Sequence, residues 1–143
     1  MDFLKITTKS RYAIRAIYAL CMLGGDKQPI SILKILEFED ISKKYLEQIF
    51  TKLKQVNIIT GSRGVGGGYM LARPPHKINL KEIVNTMDGP LKTEDCGAVN
   101  DCKNFTSCAV NWLWLGLEKT CDDYLEKITI ADMMSKSQAH FTV

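Results

Sequence analysis

The chain has 143 residues, 45% hydrophobic and 24% charged, the size and balance of one globular domain with an appended helix. No run approaches the roughly 18 apolar residues that span a bilayer, and the opening residues (Asp2, Lys5, Lys9, Arg11) lack a signal-peptide core, so the expectation is a cytoplasmic protein with no membrane partner. The net charge of +3 conceals a division: residues 1–81 carry fourteen Lys and Arg against six Asp and Glu, a net +8, and residues 82–143 five against ten, a net −5. Such a split points to a polyanion partner for the front half alone.

From Thr7 or Thr8 to Leu23, Ile14, Ile17, Tyr18 and Cys21 recur at helical spacing and Gly24-Gly25 ends the run. Pro29-Ile30-Ser31 leads into a short helix through about Glu37, with Ser31 as its N-cap. Ser42 caps a third helix to about Asn57, whose core stripe is Leu46, Ile49, Phe50, Leu53 and Val56. Ile58-Ile59-Thr60 and Tyr69-Met70-Leu71 flank a glycine-rich tip and read as a hairpin stopped by Arg73-Pro74-Pro75. Asn79 with Glu82 forms a capping-box pattern opening a fourth helix over 79–88, which Gly89-Pro90 closes. A polar loop occupies about 92–108. A long helix follows from about Ser107 to Lys127, with Val110, Trp114, Leu117, Cys121, Tyr124 and Ile128 close to a heptad seam. Trp112, Leu113 and Leu115 widen its apolar surface, and a helix so apolar at the end of a small domain is expected to pack on a second copy of itself. Thr129 caps a last short helix near Ala131–Ser135, and His140 falls in the tail beyond it.

Three helices followed by a hairpin with a glycine tip is the order of a winged helix-turn-helix. The N-terminal half of the third helix carries Ser42, Lys44, Tyr45, Glu47 and Gln48, side chains able to read donors and acceptors in the major groove. Arg63 is the one long cation on the wing and suits a narrow minor groove with its enhanced negative potential. The glycine string at 64–68 does not make a nucleotide loop, because a strand rather than a helix follows it and no Gly-Lys-Ser/Thr is present. His76 and His140 have no neighbouring partners that suggest a catalytic triad, so no enzyme is expected.

The loop holds Cys96, Cys102 and Cys108 at equal C-x5-C-x5-C spacing. On a helix, six residues turn the chain by about 600° and fan the thiols roughly 120° apart. On a strand they share a face but lie about 20 Å apart. Only a folded-back loop brings them together, and Gly97, Asn100, Asp101, Asn104 and Ser107 are residues that allow one. The spacing favours an iron–sulfur cluster, which accepts irregular spacing and one non-cysteine ligand. Zinc, a thiol switch and no ligand role at all remain as alternatives; zinc prefers closer knuckles and needs a fourth ligand. Cys21 and Cys121 fall on apolar helix faces and read as core filler.

Four stretches together resemble the IscR/NsrR-type iron–sulfur transcription regulators. They are T-T-K-S-R-Y-A-I-R-A at 7–16, S-K-K-Y-L-E-Q-I-F-T-K-L-K at 42–54, S-R-G-V-G-G-G-Y at 62–69 and the cysteine triplet. The resemblance covers nearly the whole chain in the family's order. It implies a homodimer with crossing C-terminal helices, whose two heads read a pseudo-palindromic operator in double-stranded DNA. By motif position it assigns Ser42, Lys44, Tyr45, Glu47 and Gln48 to bases and backbone, Arg63 to the minor groove, and Cys96, Cys102 and Cys108 to the cluster. One departure stands out. Where the iron–sulfur-biogenesis members have a histidine as fourth ligand, this chain has Asn111, a feeble iron ligand. Nitric-oxide-sensing members use a carboxylate from the partner's first helix, but that position is Arg11 here and residues 3–25 contain no Asp or Glu. The fourth ligand stays open between Asn111, a partner residue, water and a small molecule.

The expectation is therefore a mainly α protein. Residues 1–90 form a winged-helix DNA-binding domain with a small two-stranded wing, 91–108 a cluster-binding loop, and 109–143 the dimerisation helix and tail. Its function is that of a transcriptional repressor sensing cluster, iron, redox or nitric-oxide status, with a 2Fe–2S cluster favoured over 4Fe–4S. Alternatives are a winged-helix regulator answering to a partner protein or metabolite, a zinc-stabilised regulator, and a small iron–sulfur electron carrier. The basic front half argues against the carrier.

Overall fold

The computed structural model describes residues 5–92 and 102–141, with side chains as far as residue 136. Helices α1 (Thr8–Met22), α2 (Ile32–Leu36) and α3 (Lys43–Gln55) are followed by strands β1 (Ile59–Ser62) and β2 (Gly68–Leu71). A 3-10 turn at Pro75–Lys77 precedes α4 (Leu80–Asp88), α5 (Asn111–Lys127) and α6 (Ile130–Phe141). The described chain is thus mainly helical with a small two-stranded sheet, the winged helix-turn-helix expected from its order.

The local signals act where they stand. Ser31 accepts a hydrogen bond from the Lys34 amide and Ser42 from the Tyr45 amide, satisfying one orphan donor at the start of α2 and α3. Asn79 and Glu82 form a reciprocal capping box at α4. Thr129 and Asp132 form a similar pair at α6, at 3.2 and 2.9 Å. The strands pair antiparallel with Ile59 opposite Leu71 and Ser62 opposite Gly68. Ile30 adds to β2 by exchanging both backbone hydrogen bonds with Tyr69, each at 2.8 Å.

The core gathers Ala13, Ala16, Ile17 and Leu20 from α1, Ile35 from α2, and Leu46, Ile49, Phe50 and Leu53 from α3. Ile58, Ile59, Leu71, Ile78, Ile83 and Ile130 also belong to it. Each large side chain so buried contributes about 1.5–3 kcal/mol. The buried face of α1 departs from the Ile14–Ile17–Tyr18–Cys21 stripe read from the sequence. Ile17 and Cys21 are buried, but Ile14 and Tyr18 are only half-buried and Ala13, Ala16 and Leu20 lie inside. Alanines weigh little in a hydropathy pattern, yet Ala13 and Ala16 are fully buried. Val56, expected at the end of the α3 stripe, is exposed because it forms the C-cap, where helical periodicity ends.

Two later boundaries also shift. Helix α5 begins at Asn111 rather than near Ser107, because residues 103–107 fold into turns closed by Phe105 N–H to Cys102 C=O and Ser107 N–H to Asn104 C=O. Helix α6 is longer than Ala131–Ser135 and continues to Phe141. Its first residue, Ile130, is fully buried, and its amide donates to the Ile78 carbonyl at 3.0 Å. The chain after α5 therefore returns to the core instead of trailing away. Lys81 of α4 reaches Asp122 of α5 at 2.7 Å and holds the long helix against the head.

Candidate functional site

Helix α3 turns its apolar stripe to the core and leaves Lys44, Glu47 and Gln48 exposed. Their spacing of three and four residues puts them on one face. Ser42, also exposed, accepts from the Tyr45 amide at 3.1 Å with one of its two lone pairs, and its hydroxyl proton stays free to donate. Tyr45 is half-buried and meets the edge of Tyr12 from α1, with ring centroids 5.9 Å apart. Arg63 is exposed at the start of the wing loop. The base of the wing is fixed to α3 by Tyr69, whose ring lies 4.7 Å from that of Phe50.

Two relationships were missed by sequence reasoning. Glu39, in the turn before α3, has a side chain only 6% exposed, and the Arg15 guanidinium stands 3.0 Å from its Oε2. That oxygen lacks a directed hydrogen bond, so the pairing is electrostatic. Arg15 also lies 5.9 Å over the Tyr12 ring, completing a line of contacts from Glu39 through Arg15 and Tyr12 to Tyr45. Nothing in the local pattern announced this pairing.

The second is Asp88, the last residue of α4. Its carboxylate accepts from the Thr7 amide at 2.8 Å, the Thr7 hydroxyl and the buried Ser10 hydroxyl at 2.6 Å. Burial alone would raise this carboxyl, but the hydroxyls of Ser10 and Thr7, the Thr7 amide and nearby Lys9 outweigh it and hold its pKa below the ordinary value. A signal was present: an aspartate opposes the helix dipole at a C-terminus, so its placement there implies a compensating partner. Beside it, Met87 lines a cavity of about 60 Å³ together with Lys9, Tyr45, Gln48, Ile49 and Lys52. The C-terminus of α4 is thus bonded to the start of α1 and shares a cavity with α3.

From that same end the chain passes through Gly89, at φ 79°, into the cysteine loop. Cys96 lies outside the described residues. Cys102 and Cys108 are free, half-buried thiols at the two ends of the turn that leads into α5. Asn111 donates its Nδ2 to the Phe105 carbonyl at 2.6 Å, leaving only its amide oxygen to face a metal. Among the described residues no three metal-binding side chains converge. Two unpaired soft thiols on one short turn nevertheless fit the donor chemistry of an iron–sulfur centre, with the Asn111 oxygen a poor addition. Cys21 is buried as expected, and burial, helped by the Asp26 charge, pushes its thiol up to about 12. Cys121 is only half-buried on α5 rather than core filler, because α5 has no fully buried residue.

No described helix is long and apolar enough to cross a membrane. Residues 6–136 match the Rrf2 family, described as iron-dependent transcriptional regulators. The HTH-type transcriptional regulator IscR of Vibrio parahaemolyticus is 32% identical over 135 residues, 94% of this chain and 80% of that one. Among solved structures, T. potens IscR superposes with a TM-score of 0.78 at 28% identity, covering 98% of this chain and 93% of its own. CymR, the global cysteine regulator of B. subtilis, gives 0.79 at 28% identity, covering 94% and 98%. These relatives are transcriptional regulators, not enzymes. The chain belongs to the Rrf2 family and is a winged-helix, IscR-like transcriptional regulator.

Proposed function

We propose that the protein is a homodimeric repressor that binds a pseudo-palindromic operator in double-stranded DNA and answers to an iron–sulfur cluster, of the 2Fe–2S type, held by Cys96, Cys102 and Cys108. In this reading Ser42, Lys44, Tyr45, Glu47 and Gln48 meet bases and backbone in the major groove, and Arg63 meets the minor groove. The fourth ligand position falls to the Asn111 oxygen, a partner residue, water or a small molecule. When bound, the cluster supplies a centre reactive toward oxidants and nitric oxide.

The observation that carries the reading is the C-terminus of α4. The cysteine loop leaves it directly, while Asp88 grips Thr7 and Ser10 of α1 and Met87 lines one cavity with Tyr45 and Gln48 of α3. Cluster binding in the cysteine loop would act on Gly89 and Asp88, the residues that join the loop to α4 and, through Thr7 and Ser10, to α1. The dimer rests on α5, where Trp112 and Tyr124 are 68% and 64% exposed on a helix with no fully buried residue. A second copy of the helix is the natural cover for such a surface.

The test is operator affinity of cluster-loaded and cluster-free protein on the same DNA. Different affinities, both falling steeply with salt, support the reading. Equal affinity on every operator defeats the coupling. The likeness to CymR favours a second reading, a regulator of this fold answering to a small molecule or partner protein without a cluster, and metal content separates the two.

A further inference from the structure

The wing is stiff at its base and bare at its tip. Tyr69 is fixed by two hydrogen bonds to Ile30 and by its ring against Phe50. A side chain at Gly68 would stand 2.2 Å from the Ile30 carbonyl oxygen, so only glycine lets β2 seat there. At the tip, Gly64 and Gly66 have φ of +91° and +77°, and nothing lies within 4 Å of where their Cβ atoms would be. Between them Val65 is fully exposed, at 110% of its reference area, with Arg63 two residues away. A turn of this kind is ordinarily filled by polar residues, yet its apex carries a branched apolar side chain that touches nothing. The result is a thin blade of bare backbone with one hydrophobic point beside one cation.

We propose that Val65 is a specificity-determining residue that enters the minor groove beside Arg63 and selects A·T over G·C pairs. The groove is about 6 Å wide, which admits a glycine-flanked backbone but not a bulky loop. On its floor G·C differs from A·T by the guanine N2 amino group, a donor that projects into the groove. Methyl groups pressed against that donor would strip its water and return no hydrogen bond, whereas an A·T floor accepts them. Arg63 supplies attraction to a narrow groove, and Val65 supplies rejection of the wrong pair.

This inference rests on the DNA-binding reading, and the experiment separates the two. An operator is selected from a random duplex pool with the wild-type dimer, and the pairs under the wing are located by minor-groove protection from hydroxyl radicals. Those A·T pairs are replaced by G·C or by inosine·C, which presents the major groove of G·C without the N2 amino group. Wild type is expected to bind the G·C duplex about tenfold more weakly and the inosine duplex as well as the original. Val65→Ser should fold like wild type and reduce the G·C discrimination to about twofold or less, while Arg63→Ala should weaken binding to all three duplexes. Full discrimination by Val65→Ser, or an inosine duplex bound as poorly as G·C, overturns the proposal. A pool that yields no enriched sequence overturns the DNA-binding reading and this inference with it.

Discussion

Asp88 accepts the hydroxyl of Ser10 at 2.6 Å across 78 residues of chain, locking the end of α4 to the first turn of α1. Ser10 is fully buried, so this carboxylate is the partner that makes its burial tolerable. The same residue stands one position before the glycine from which the cysteine loop departs, which places it between the loop and the head.

Replacing Asp88 by alanine should destabilise the protein by about 1–3 kcal/mol, because the Ser10 hydroxyl is left buried without an acceptor. The pH dependence has a definite sign. The folded-state pKa of Asp88 is depressed, so its stabilisation is complete above the unfolded carboxylate value and is lost as pH falls through the folded one. Urea unfolding should therefore show wild type and Asp88→Asn converging in acid and separating toward neutral pH.

On α3, Glu47→Ala and Gln48→Ala should each lower affinity for the best operator by about 1–3 kcal/mol and relax base preference at one position. Lys44→Ala should weaken binding to all sequences alike and reduce the salt slope by about 1. Fluorescence-anisotropy titrations at several salt concentrations distinguish these outcomes. A Glu47→Ala protein with unchanged preference would remove Glu47 from the reading face.

Disruption of α5 should release monomers. Leu113 is 44% exposed and follows Trp112 on α5, and the pair Trp112→Ala, Leu113→Glu removes a large anchor and adds a charge among the exposed apolar side chains of the helix. Sedimentation velocity should show a shift from dimer to monomer with helical content retained. A variant that remains dimeric would place the contact elsewhere.

Thiol reactivity should divide by location. Cys21, pushed up to about 12 by burial, should resist iodoacetamide at pH 8 in folded, metal-free protein. The half-buried Cys102, Cys108 and Cys121 should label before it, and Cys102 and Cys108 alone should lose that reactivity when the cluster is loaded. Peptide mapping after timed labelling reads both effects.

Features encoded within a few residues were legible in the sequence. The Ser31, Ser42 and Asn79 caps, the Glu82 reply and the glycine tip each work through neighbours three or four positions away. Those decided by tertiary packing were not. The buried face of α1 is set by packing around the small side chains Ala13 and Ala16, which hydropathy does not record. The late start of α5 follows from turns at Cys102–Ser107 that outcompete the apolar pattern. At the candidate site, the exposed face of α3 follows directly from periodicity. The Asp88–Ser10 and Arg15–Glu39 partnerships join residues far apart in sequence and emerge only in three dimensions.

The most direct measurement is the absorption spectrum, with iron and acid-labile sulfide counts, of anaerobically purified wild-type protein beside a Cys102→Ala, Cys108→Ala variant. The account predicts a coloured wild-type protein with iron and sulfide in equal, stoichiometric amounts, and a folded, colourless variant without them. A colourless wild-type protein carrying stoichiometric zinc, or a variant that retains the chromophore, would contradict it.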